Sequence, residues 1–249
     1  MIKNIKLEFF KIRHRKVYTT VIAVISATFL WALWAQDSAT IYEASQGWMS
    51  LIYNFSTINC VIMPILTAIV ASRLVDIEHK GNTLKLLKTL QGNSNLFNSK
   101  FICGILIMIS AVLMQASSML IIGLINNYDN IPYSYFAYYI FYTLSVTIVL
   151  FLIQMILSFQ FINQMIAFVI AIAGSFLGLF SLFFGGIISK LIIWSYYGIL
   201  SPVVLNWDIN TRISSYSWSS ISLSSLLIIF LAFIFIYVSG KKLFMLKEE

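Results

Sequence analysis

The chain has 249 residues, of which 60% are hydrophobic and 10% charged, with a formal net charge of +7. Soluble domains carry about 25% charged residues, so this composition excludes an ordinary soluble globular protein. The basic excess marks no nucleic-acid partner, because the basic residues flank long apolar runs and no basic domain exists.

Residues 2–16 have helical spacing, with Ile2, Ile5, Phe9 and Ile12 on one side and Lys3, Lys6, Arg13 and Lys16 largely on the other. A basic amphipathic helix beside a span lies in the membrane interface; the plainer reading is a basic flank that sets topology. No cleavable signal peptide follows, since the first apolar run has span length and lacks a small-residue cleavage site. Five windows then lack Lys, Arg, Asp and Glu: 17–36, 44–72, 101–128, 130–189 and 213–240. A span needs about 20 such residues. The fourth window holds two spans, separated by Ser158, Gln160, Asn163 and Gln164. Six helices are expected, at 17–35, 51–72, 101–125, 136–157, 164–183 and 221–239. Cys60 and Cys103 fall inside spans and read as small buried apolar residues. Pro64 should kink the second span.

Fourteen of the sixteen Lys and Arg residues precede the first span, lie in 73–100 or close the chain. The positive-inside rule then puts both termini and the 73–100 insert in the cytoplasm, in a multi-pass cell-membrane protein.

That insert reads RLVDIEHKGNTLKLLKTLQGNSNLFNSK. After Gly81-Asn82-Thr83 comes a short helical pattern with Leu84, Leu86, Leu87 and Leu90 as its apolar residues. It is too short for a span and suits a small helix pressed into a groove. Asn82 or Thr83 is placed to cap it, Gly81 to allow a sharp entry and Gly92 to end it. Asp76 and Glu78 are placed to meet basic groups of a partner. The plainer reading is an interfacial helix touching only lipid.

Further along, Gln115 and Gln154 are uncharged amides deep in spans. They serve helix–helix hydrogen bonding or line a substrate path. Gly174 and Gly178 give the fifth span a small-xxx-small face for close packing. Residues 184–220 hold Trp194, Tyr196, Tyr197, Trp207, Tyr216 and Trp218. Gly198 and Ser201-Pro202 interrupt this stretch, so it reads as extracellular and re-entrant rather than as a seventh span. Its rings suit the headgroup region, and Trp194 and Tyr197 are further candidates for the substrate path.

No GxxxxGK[ST] loop occurs, so ATP is not expected to bind this chain by that route. HExxH, CxxC and GxSxG are also missing, and His14 and His79 stand apart. No metal site is expected. No ionisable residue lies deep in a predicted span, which speaks against an ion-coupled carrier or pump.

The run Glu78-His79-Lys80-Gly81-Asn82-Thr83-Leu84-Lys85-Leu86-Leu87, placed after the second of six spans, resembles permease subunits of ABC-2 type ABC transporters. With its EHKGNT and KLL it looks most like the permeases of lantibiotic self-protection and antimicrobial-peptide export in Gram-positive bacteria. Many relatives place a proline turn after this helix; here Leu90-Gln91-Gly92-Asn93 stands instead, and Gly-Asn makes a turn as well.

The resemblance implies an all-α, polytopic fold as one ABC-2 type domain over 1–249. Its parts are an interfacial helix at 1–16, a coupling loop at 73–100 and an outer segment at 184–220. It implies a non-catalytic subunit, with ATP and Mg in partner ATPase chains. Glu78, Gly81, Asn82, Thr83, Leu84, Leu86 and Leu87 would form the coupling site. The other implied partners are a second permease, membrane lipid and an amphipathic peptide as cargo. Export of an endogenous peptide or toxin, a sensor or scaffold without transport, and a stand-alone carrier remain as other readings.

Overall fold

The computed structural model describes residues 2–38, 41–81, 83–184, 186–209 and 213–246. Among the described residues the chain is all-α apart from one hairpin, and six helices are long and apolar enough to cross a membrane.

Helix α1 (Ile2–Ile12) leads through a 3-10 turn (Arg13–Arg15) to Lys16, whose φ of 52° makes a left-handed corner. The apolar run then starts as α2 (Val17–Asp37). A basic segment cannot follow the span into hydrocarbon, so the chain changes direction where the charges end. Short α3 (Ile41–Ser45) precedes α4 (Trp48–Lys80), a 33-residue helix that overruns its apolar stretch by eight residues into the polar insert. Helix α5 (Leu84–Gln91) follows, then α6 (Asn93–Ile125), also 33 residues long. The 73–100 insert is thus two helix ends joined through a short helix, not a loop.

Helix α7 (Tyr133–Gln160) and α8 (Gln164–Phe184) are separated by a three-residue turn at 161–163. Asn163 Oδ1 accepts from Met165 N at 3.0 Å and starts α8. The 184–220 segment holds α9 (Gly186–Leu191), a 3-10 turn (Ile193–Ser195), α10 (Tyr196–Ile199) and two strands. Antiparallel β1 (Val203–Asp208) and β2 (Ile213–Trp218) pair Val203 with Trp218 and Asp208 with Ile213. The hairpin is an addition to the helical expectation. Alternating Val, Leu, Trp and Tyr with Ser and Asn gives it its period-two pattern. The chain closes with α11 (Leu223–Leu246).

Helix α4 is the hub: it packs on α2, α6, α7 and α8. Helices α2, α8 and α11 are peripheral, with Leu30, Phe176, Phe180, Phe230 and Phe235 exposed, as lipid-facing positions should be. At the end opposite the insert, α3 and the hairpin form a collar. Gln46 serves the edge of β2, donating from Nε2 to Ser214 O at 3.3 Å and accepting from Tyr216 N at 2.5 Å. One amide side chain thus satisfies part of an edge that would otherwise invite pairing. Trp218 stacks on Tyr135 with centroids 3.9 Å apart, and Trp48 Nε1 donates to Asp129 O at 3.1 Å.

Gly174 and Gly178 serve close packing inside the chain. Trp194 lies over both, and a Cβ at either position would collide with it. The segment after α8 therefore folds back onto α8 instead of leaving that face for a neighbouring span. Tyr196 and Tyr197 are fully buried beside it.

Gly174→Leu should cost about 1–3 kcal/mol by overpacking. The expected result is a lower unfolding temperature in detergent, largely restored by adding Trp194→Ala; an unchanged temperature for the single variant would show that Trp194 is not held there.

Candidate functional site: the basic end and its buried ions

Helix α1, the overrun of α4, α5, the start of α6 and the end of α11 meet at one end of the bundle. Four charged side chains tie α1, α4 and α6 together there. Lys100 Nζ donates to Glu8 Oε2 at 2.7 Å, to Leu74 O at 2.8 Å and to Glu78 Oε1 at 3.0 Å. An ammonium has three donors, and all three are used. Lys11 Nζ donates to Glu8 Oε1 and Glu78 Oε1, both at 2.9 Å. Thr83 Oγ1 donates to Glu78 Oε2 at 2.7 Å. Glu8, Glu78 and Lys100 are at most 1% exposed.

The two lysines and two glutamates cancel in charge, and all four carboxylate oxygens accept a bond. Both are needed for buried ions to be tolerated. Burial alone would lower the pKa of Lys11, but its bonds to Glu78 and the charge of Glu8 outweigh this and raise it above 10.5.

The arrangement corrects part of the sequence reading. Glu78 does not face a partner; it is consumed inside the chain. Asp76 is likewise engaged, 2.8 Å from Lys80 and 4.0 Å from Arg15. Thr83 stands at the N-cap position of α5 but makes no capping bond, because its hydroxyl serves Glu78. Gly81 has an ordinary helical φ of −83°. What restricts that position is space, since a Cβ would sit 3.1 Å from Ile77 O. Gly92, at φ 76°, does make the turn that ends α5. Asn82 lies outside the described residues.

The leucines of α5 form two faces, not one. At 100° per residue, Leu84 and Leu87 (i, i+3) share one side, and Leu86 and Leu90 (i, i+4) share another. Leu84 is buried and Leu87 packs on the core, whereas Leu86 and Leu90 are 58% and 72% exposed. Lys88 Nζ lies 4.9 Å above the ring of Phe244 in α11. So α5 is anchored through Leu84, Leu87, Lys88 and Thr83 and presents Leu86 and Leu90 outward.

Glu8, Lys11 and Lys100 were not singled out from sequence. Glu8 is the lone acid among the first 36 residues, and Lys100 is a charge at the edge of a span. Both are signals that a buried pair was present.

The other sequence candidates lie far along the spans. Gln115 is fully buried in a closed ring of hydrogen bonds. Asn59 Nδ2 donates to Tyr139 Oη at 2.9 Å, Tyr139 Oη to Gln115 Oε1 at 3.2 Å, and Gln115 Nε2 to Asn59 Oδ1 at 2.7 Å. Tyr197 Oη is 2.9 Å from Thr147 Oγ1. Gln154 is buried with neither amide atom bonded, and Trp194 Nε1 is also without a partner. In this conformation Gln115 fastens α4, α6 and α7 together, and Tyr197 fastens the short helix α10 to α7. Among the described residues no three His, Cys, Asp or Glu side chains gather as a metal would require.

Six apolar helices around a buried centre, with a short helix displayed at the basic end, define a multi-pass membrane protein. Residues 4–178 match the family described as ABC-2 family transporter protein, and the chain belongs to that family. It is therefore a membrane subunit of an ABC transporter, and membership implies an ABC ATPase partner and pairing with a second permease. No curated protein and no solved structure matches the chain.

Lys100→Met should destabilise the protein by about 3–5 kcal/mol, since it leaves two buried carboxylates facing one lysine. Adding Glu8→Gln restores neutrality and should recover much of that loss, read from unfolding temperature in detergent. With the pKa of Lys11 raised in the fold, its contribution is complete below pH 10.5 and fades as pH climbs through the higher folded value. Lys11→Met should therefore flatten the loss of stability seen at alkaline pH.

Proposed function

We propose that this chain is the membrane-spanning subunit of an ATP-driven exporter that expels amphipathic antimicrobial peptides, in lantibiotic-type self-protection or resistance of a Gram-positive bacterium. Two six-span chains, identical or related, would frame one path. ATP and Mg would sit in separate ATPase chains on the cytoplasmic side, where both termini lie.

The observation that carries the reading is α5. It has eight residues, is anchored on one face, and displays Leu86 and Leu90 on the other. That is the geometry of a helix offered to a groove. Movement of an ATPase against α5 passes through Thr83 to Glu78, and through Lys11 and Lys100 to α1 and α6. The spans then change access, and cargo moves because it binds the two states differently.

The cargo assignment rests on the uncharged interior of the spans and on the aromatic collar of Trp48, Tyr135, Trp207 and Trp218. Such surfaces suit a ligand that is itself apolar on one side and polar on the other. Export of an endogenous peptide or toxin would use the same surfaces, while a sensor or scaffold would use α5 without transport.

Leu86→Asp with Leu90→Asp touches only exposed positions, so insertion and folding should persist while ATPase recovered on affinity purification falls about tenfold. Equal recovery would remove α5 from the docking role, and absence of an ATPase from the unaltered chain would favour the sensor. Deleting the gene should sensitise cells to added amphipathic peptides; unchanged sensitivity with loss of a secreted peptide would favour endogenous export.

A further inference from the structure

A cavity of about 490 Å³ opens between the overrun of α4 and the start of α8, away from the face that α5 displays. Its α4 wall is a single helical stripe. Ile69, Arg73, Asp76 and Lys80 recur at intervals of three and four and so lie one above another. Over these eleven steps the wall rises about 16 Å, from apolar to fully charged. The facing wall runs antiparallel and, apart from Ile162 at its polar end, shows the same gradient. Asn163 and Gln164 stand at the polar end, and Met165 and Phe168 lead toward the hydrocarbon.

The charged rim is cationic. Arg73 and Lys80 line the cavity and Arg15 stands next to it, against Asp76 as the one acid among the described lining residues. Arg73 spends one N–H on Arg15 O at 2.6 Å, which fixes the guanidinium and leaves donors of its fork free for an anion. Lys80 is 67% exposed and can swing while still paired to Asp76.

A ligand matching both walls has an anionic head at the level of Arg73 and Lys80 and an apolar chain at the level of Ile69 and Phe168. We propose that this cavity is a binding site for an anionic phospholipid, with the phosphate at Arg73 and Lys80 and an acyl chain along Ile69, Met165 and Phe168. Basic pockets at the edge of a bilayer attract such headgroups. The acyl chain is what separates this ligand from a free phosphate, because the lower half of the cavity offers nothing to an inorganic anion. The site bridges α4 and α8, so an occupant ties the second and fifth spans at the end where α5 is displayed. It stands independently of the cargo and of the ATPase.

The test is native mass spectrometry of the full-length chain in detergent, titrated with phosphatidylglycerol or with phosphatidylcholine of the same chains. The first phosphatidylglycerol adduct should form preferentially, and Arg73→Gln should weaken it about fivefold. Lys6→Gln, which removes an exposed charge elsewhere, should leave it unchanged. Asp76→Asn should strengthen it, an outcome that a misfolded protein cannot give. Millimolar inorganic phosphate should not displace the lipid. Equal binding of the two lipids, an equal loss in Lys6→Gln, weaker binding in Asp76→Asn, or displacement by inorganic phosphate would each overturn the assignment.

Discussion

Three buried charges, Glu8, Glu78 and Lys100, with half-buried Lys11 beside them, organise this molecule. Lys100 enters the bundle at the first turns of α6, where hydrocarbon would punish a free ammonium. Its cost is offset only if Glu8, Glu78 and the carbonyl of Leu74 all reach it. That requirement draws α1 onto α6, extends α4 past its apolar stretch, and, through Thr83, fixes where α5 begins. The amphipathic helix α1 is thereby packed onto the bundle through its buried side.

The opposite end is held by different means. There α4, α6 and α7 are joined by the neutral ring of Asn59, Gln115 and Tyr139, and the segment after α8 is joined to α7 by Thr147 and Tyr197 and to α8 by Trp194 pressed on Gly174 and Gly178. Neutral bonds of this kind are modest in strength and rearrange more readily than a matched set of ions. Under the proposed function, a bundle braced by ions at one end and fastened by amides and hydroxyls along its length would receive force at the braced end and respond elsewhere.

The spans were legible because hydrocarbon demands long runs without charge, and the gaps between charged residues set all six to within a few residues except where polar helix continues beyond the membrane. The overruns of α4 and α6 were not legible, since the turn signals Gly81 and Gly92 mark breaks but not how far helix persists beside them. The short helix at 84–91 was readable from its leucine spacing, yet its two faces were merged, because four leucines in seven residues look like one stripe until Leu84 is seen to be buried and Leu86 exposed. Glu78 was noticed for the wrong reason. Its position was informative, but its partners Glu8, Lys11 and Lys100 are up to 70 residues away in sequence, and no local pattern links them. The hairpin at 203–218 lay inside a segment read only as extracellular and re-entrant, where the aromatic residues suggested a headgroup-facing belt and not strand pairing.

The central claim is that the ion cluster makes α1 and α5 one rigid unit with the spans, so that a force on α5 is delivered to the bundle. Spin labels at Phe10→Cys and Leu90→Cys, both at exposed positions, report this directly in the reconstituted permease–ATPase complex; Cys60 and Cys103 are buried and should stay unlabelled. Pulsed dipolar distances should be narrow and the same with and without ATP, while the distance between Leu90 labels in the two permeases changes. A Phe10–Leu90 distance that broadens or shifts with ATP would show that α5 moves independently of α1, and would contradict the account.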